Sequence, residues 1–166
     1  MATDKTSRIS FRLKTDVWEA IKTQSAAAGI EPSRFMQDAL EQTVMSHLPE
    51  DRQKELRDMR KLYAIAEERA HAIHAAGKFD ESFILTVFRD LMSNPDTRKL
   101  YEDVINDDAY ADKAEGKTPI NMYLAWYIKN AIGAYRLMDD SNKPRRAFVK
   151  NEPIKSYTLL TLDAPG

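Results

Sequence analysis

SRISFRLKTDVWEAI, residues 7–21, decides how the rest of the chain is read. Its first half alternates strictly. Arg8, Ser10 and Arg12 fall on one face of an extended segment, and Ile9, Phe11 and Leu13 on the other. Thr15 then offers an N-cap, and Asp16 sits in the first turn, where its charge favours the helix dipole. Val17, Ala20, Ile21 and Ala28 recur at helical spacing, and Gly29 is placed to stop that helix. A second helix opens at Pro32, a residue suited to a first helical position. It carries the stripe Phe35, Met36, Ala39, Leu40, Thr43 and Val44. The chain breaks again at Pro49.

The opening strand has no second strand near it in sequence, and a lone strand leaves its ladder groups unpaired. Two copies of the chain remove the problem by pairing antiparallel. Ile9, Phe11, Leu13, Val17, Ile21, Phe35, Met36 and Leu40 then form a shared dimer core. The opposite face of the ribbon carries two sets of Arg8, Ser10 and Arg12. A two-stranded ribbon fits the major groove of B-form DNA, where arginine matches the paired acceptors of guanine.

RISFRLKTDVWEAIKTQSAAAGIEPSRFMQDALEQTV resembles the ribbon-helix-helix family of the Arc, MetJ and CopG type over residues 7–46. The resemblance rests on the alternating basic strand, the capped first helix, the glycine turn and the Pro-Ser-Arg opening of the second helix. It implies base reading by Arg8, Ser10 and Arg12. It implies a phosphate contact at Ser33 and Arg34, where a helix start offers free N–H groups. Lys5 and Lys14 flank the strand and are expected to add phosphate contacts.

The remaining chain reads as mainly helical. Leu56, Met59, Tyr63, Ala66, Ala70 and Ile73 alternate spacings of three and four along residues 50–76, and Gly77 ends that pattern. This seam is a candidate interaction surface, although packing inside its own domain is the more common fate of such a stripe. Asp80 is a candidate cap for the next helix, and Asn94-Pro95 breaks the chain before a short one. KTPINMYLAWYIKNAIGAYRLM is apolar nearly all round and is expected at the buried centre of this domain, capped by Thr118 with Pro119 first in the helix. Asp139-Asp140 reads as a helix-terminating surface turn. The end of the chain is basic, with Lys143, Arg145, Arg146, Lys150 and Lys155 around Phe148 and Tyr157, and β-prone from Tyr157 to Leu162. Three fates suit it: a solvated tail, a second contact to DNA phosphates, or pairing with another subunit.

The expected fold is therefore mainly α, in three parts. Residues 1–48 form the DNA-binding and dimerisation domain, 50–142 a helical domain, and 143–166 a basic, β-prone tail.

Composition narrows the function classes. The 166 residues carry a net charge of −1, so the whole molecule does not advertise a polyanion. The first 14 residues do, with Lys5, Arg8, Arg12 and Lys14 against Asp4 alone, whereas residues 102–115 are strongly acidic. No cysteine is present, which excludes disulfides, thiolate metal sites and cysteine nucleophiles and fits a reducing cytoplasm. Residues 1–8 are polar, unlike a signal peptide, and no apolar run reaches the roughly 18 residues of a membrane helix. His71 and His74 stand near Glu67 and Glu68, but the spacing is not that of a zinc helix and no third ligand is evident. No Gly-rich phosphate loop and no nucleophile elbow occurs. The expectation is a non-enzymatic protein without metal or cofactor.

Its expected partners are double-stranded DNA and a second copy of itself, with higher-order assembly along DNA. An acidic domain of this size is also suited to touching RNA polymerase or another protein. Transcriptional regulation, on a plasmid or other mobile element, is the leading expectation. An accessory role in plasmid conjugative transfer, or an adaptor whose ribbon only dimerises it, are the alternatives.

Overall fold

A computed structural model of the chain describes residues 8–10, 12–27, 30–111 and 116–164. They are mainly helical, with short antiparallel strands towards the C-terminus. The chain divides into two compact units, Met1–His47 and Leu48–Gly166.

In the first unit, α1 spans Thr15–Ala27 and α2 spans Pro32–Val44. A 3-10 turn over Met45–His47 follows. Pro32 opens α2 as expected, because its missing N–H costs nothing where no intrahelical acceptor exists. Ser25 is the buried residue of α1, and its Oγ donates to the Lys22 carbonyl at 3.0 Å. The Ile30 N–H donates to the Ser25 carbonyl at 2.8 Å, tying the connection between the helices to the end of α1. Gly29, expected to stop α1, lies outside the described residues.

The second unit is built on α3, Glu50–Ala75. Its expected seam is buried at Leu56, Tyr63, Ala66, Ala70 and Ile73, with Leu62 beside it and Met59 partly covered. From Tyr63 to Ile73 this stripe belongs to its own unit's core, the more common of its two expected fates, and is not an interaction surface. The physical reason is simple: neighbouring helices of the same unit cover it. Gly77, at φ +73°, ends α3 as expected. Its N–H donates to the His74 carbonyl and the Lys78 N–H to the Ile73 carbonyl, so two otherwise orphaned carbonyls are satisfied.

Next come α4, Phe83–Ser93, and α5, Pro95–Ile105. Asp80 does not cap α4, which starts three residues later with Ser82 at the cap position. Asn94 caps α5, accepting from the Asp96 and Thr97 N–H groups at 3.0 and 3.1 Å. Helix α6, Lys117–Ala131, begins two residues before the expected Thr118-Pro119 start, with Gly116 at the cap.

Helix α6 was expected at the centre, but α4 occupies it. Seven of the eleven residues of α4 are buried, namely Phe83, Ile84, Leu85, Val87, Phe88, Leu91 and Met92. On α6 one line is buried, Ile120, Leu124 and Ile128, while Met122 on another face is exposed. Where α6 meets α3, the Tyr63 and Tyr127 rings stack 4.9 Å apart. A hydrogen bond from the buried Tyr101 hydroxyl to Asn121 Oδ1, at 2.7 Å, joins α5 to α6.

Four short strands follow. Strand β1, Tyr135–Arg136, pairs antiparallel with β4, Leu160–Thr161; β2, Arg146–Phe148, pairs with β3, Ser156–Thr158. Asp139-Asp140 does not terminate a helix. Asp139 Oδ1 accepts from the Ser141 and Lys143 N–H groups in a hairpin turn. Residues 143–166 were expected as a separate tail. Their described part is instead integral to the second unit. Ile154, Tyr157 and Leu160 are buried in its core, Tyr157 donates to Ser82 Oγ at 3.0 Å, and Leu160 N–H donates to the Glu81 carbonyl. The β-prone end pairs with strands of its own chain, so its pairing with another subunit is also corrected.

Candidate nucleic-acid interface

The expected strand over residues 8–13 is not shown: residues 8–10 and 12–14 form no strand, and the described strands all lie towards the C-terminus. Both faces of the segment are open. Arg8, Ser10, Arg12 and Lys14 are exposed, as are Ile9 at 78% and Leu13 at 38%. Among the described residues, no ion pair or hydrogen bond engages the Arg8, Ser10 or Arg12 side chains. Phe11 and Lys5 lie outside the described residues.

The helices behind this segment leave their apolar stripes open too. Val17, Trp18, Leu40 and Val44 are exposed, Leu40 at 59%, and Ile21, Phe35 and Met36 are half-buried. Among the described residues, no hydrophobic side chain before Leu56 is buried. An unpartnered apolar stripe of this extent is costly in water, at about 25 cal/mol for each Å² left uncovered.

At the start of α2 the two residues expected at a phosphate behave differently. Ser33 is exposed, at a position where a helical N–H has no intrahelical acceptor. The Arg34 side chain is largely covered and pairs with Asp38 at 2.8 Å, one turn along the helix. Glu31 occupies the cap position and is exposed, and its negative charge opposes an anion there. Ser33 is thus the better placed of the pair.

A second basic surface lies in the other unit. On β2, Arg146, Phe148 and, two residues beyond the strand, Lys150 are exposed, while Ala147 and Val149 pack towards the core. Phe148 is 81% exposed. Tyr157, grouped with these cations in the sequence, is buried and does not join them. Tyr110 does, lining one open groove with Phe148, Lys150, Asn151, Glu152 and Lys155. Nothing local in the sequence links Tyr110 to Phe148, which stands 38 residues later. The alternation Arg146-Ala147-Phe148-Val149-Lys150 was the available signal for the strand face.

His74 packs edge-on against Phe79 and Phe83, and among the described residues no group of three or more His, Cys, Asp or Glu side chains gathers at one point. No helix among them is long and apolar enough to cross a membrane. Burial pushes the Tyr101 phenol well above its ordinary range, against the opposing effect of its hydrogen bond to Asn121. Burial, with Arg136 nearby, lowers the Lys129 ammonium.

Comparison of the chain with protein-family models, with curated proteins and with solved structures gives no match.

Proposed function

We propose that this chain is a sequence-specific DNA-binding transcriptional regulator that acts as a homodimer, its N-terminal segments pairing as a β-ribbon in the major groove. The observation that carries the reading is the open apolar face of the first unit. Ile9, Leu13, Val17 and Leu40 are uncovered in one chain, and Arg8, Ser10 and Arg12 alternate with the first two of them. A second copy covers the apolar side and doubles the cationic side in one step. Arginine supplies bidentate donors to guanine O6 and N7, and serine adapts to several base edges. Ser33 and Lys14 provide contacts that fix register on the phosphates.

Selection of random genomic fragments by the full-length protein, followed by sequencing of the retained DNA, tests this. One enriched motif, lost in the Arg8→Ala/Arg12→Ala variant, is the expected result. No enrichment from a dimeric protein defeats the reading and favours an adaptor whose ribbon only dimerises it. The motif's position, beside promoters or at a transfer origin, separates regulation from an accessory role in conjugative transfer.

A further inference from the structure

We infer that the open edge of β2 takes an extended peptide segment by strand addition, an apolar residue of that segment being flanked at alternate positions by acidic ones. The hydrogen bonds of the hairpin show which backbone groups are open. Val149 N–H donates to the Lys155 carbonyl and Leu159 N–H to the Arg145 carbonyl, both at 2.9 Å, in register with the pairing of Ala147 and Tyr157. Residues 145, 147 and 149 thus turn their backbone groups towards β3. In an antiparallel ladder the residues between them face the other way. Arg146 and Phe148 therefore present N–H and C=O groups at an edge where, among the described residues, β2 has no neighbouring strand. Such an edge is a template for another extended chain. Phe148 stands on it 81% exposed, and Tyr110 lines the same open groove.

Charge selects the occupant. Residues 143–150 carry Lys143, Arg145, Arg146 and Lys150 and no acidic residue. Among the described residues, no ion pair or hydrogen bond engages the side chains of Lys143, Arg145 or Lys150, and all three are exposed. Arg146 is held by a neutral group, the Ser156 hydroxyl at 2.6 Å, rather than by a carboxylate. A second copy of β2 is a poor occupant. Pairing antiparallel about Phe148 sets Arg146 directly against Lys150, and like charges opposite each other destabilise a sheet. An acidic segment meets the same two positions with opposite charge. The residue opposite Phe148 shares its face and is apolar, and the residues two before and two after it stand opposite Arg146 and Lys150. The pattern recognised is acidic-x-apolar-x-acidic. A nucleic acid fits the charge but has no peptide groups to complete the ladder.

The test uses the full-length protein and the fluorescein-labelled peptide Thr-Glu-Thr-Val-Thr-Glu-Thr with an amidated C-terminus, read by anisotropy at low salt. Saturable binding is expected, weakening as salt rises. Methylating the valine nitrogen, which faces β2, should abolish it. Methylating the nitrogen of a neighbouring threonine, which faces away, should not. Phe148→Ala should weaken binding about twofold to tenfold. Arg146→Glu/Lys150→Glu should weaken it about tenfold, and should favour the same peptide with lysine in place of glutamate. Arg8→Ala/Arg12→Ala should leave it unchanged, so failure of the proposed DNA reading and failure of this site are separately visible. The inference fails if the peptide does not bind, or if methylating the valine nitrogen has no effect, which marks attraction by charge alone. It fails if Thr-Thr-Glu-Glu-Val-Thr-Thr, of equal composition and wrong spacing, binds equally. It also fails if oligothymidylate displaces the peptide at equal concentration, which marks a general polyanion surface. Loss of self-association in Phe148→Ala by sedimentation marks a contact between copies and overturns it as well.

Discussion

The two units of this chain solve the problem of apolar surface in opposite ways. Residues 48–166 bury Leu62, Phe83, Val87, Phe88, Leu124, Ile128 and Leu160 completely, inside one continuous cluster. Residues 8–47 carry apolar stripes at correct helical spacing, and among the described residues none of these side chains is buried. Helical pattern is equally good in both, so pattern alone does not make a core. The first unit offers two helices of 13 residues each, too little to enclose a stripe from both sides. The second has four helices and a strand layer to close around its own. One closes its stripes within a single chain; the other leaves its described stripes open, and the proposed dimer would cover them.

Breaking the complete half should have the largest effect. Phe88→Ala leaves a cavity at the centre of α4 and should cost about 3–5 kcal/mol in the urea transition of the second unit. A loss below about 1 kcal/mol would mean that Phe88 is not enclosed. The incomplete half should respond through association. Leu40→Glu places a charge on the exposed stripe of α2. It should weaken the proposed dimer by tenfold or more in dissociation constant, measured by sedimentation, with the second unit's unfolding unchanged. Equal oligomeric state in both proteins would remove the dimer from the first unit.

A smaller effect separates reading from assembly. Arg12→Ala should cost roughly 1–3 kcal/mol on the enriched duplex and relax one base position, while sedimentation stays as in the parent. Ser33→Ala should weaken binding to all duplexes alike. If Arg12→Ala also dissociated the dimer, the two faces of the segment would not be independent.

The smallest predicted change sharpens the packing of the second unit. Tyr101→Phe removes the hydrogen bond to Asn121 and should cost about 1 kcal/mol at neutral pH. The phenol's pKa is raised in the fold, so the unfolded chain releases this proton first. Stability from this group is complete below about pH 10 and falls as pH rises beyond it. Unfolding of the parent and Tyr101→Phe across pH 8–11 should show their stabilities converging at the alkaline end. Parallel curves would mean that Tyr101 is not buried.

Much of the helical architecture is legible along the chain, because its signals are local. Pro32, Gly77 and Asn94-Pro95 mark a start, a stop and a boundary through backbone constraints that no distant residue alters. The stripe from Tyr63 to Ile73 is equally plain, since spacings of three and four lie on one helical face. The start of α6 is less so: Thr118 and Pro119 are good opening residues, but the helix extends back to Lys117, whose Nζ donates to the Ala111 carbonyl at 2.7 Å. A contact across six residues leaves no mark on local propensity.

The alternating polar residues Arg8, Ser10 and Arg12, the stripes of α1 and α2 and the mainly helical character of residues 50–131 follow from sequence by itself, because period and propensity act over a few residues. Tertiary structure alone decided which stripes become core, that α4 rather than α6 takes the centre, and that the basic C-terminal segment is a strand layer closed by Leu160 and Tyr157. It alone brought Tyr110 to the groove of Phe148. Those outcomes depend on which surfaces exclude water together, and that is settled between elements distant in the chain.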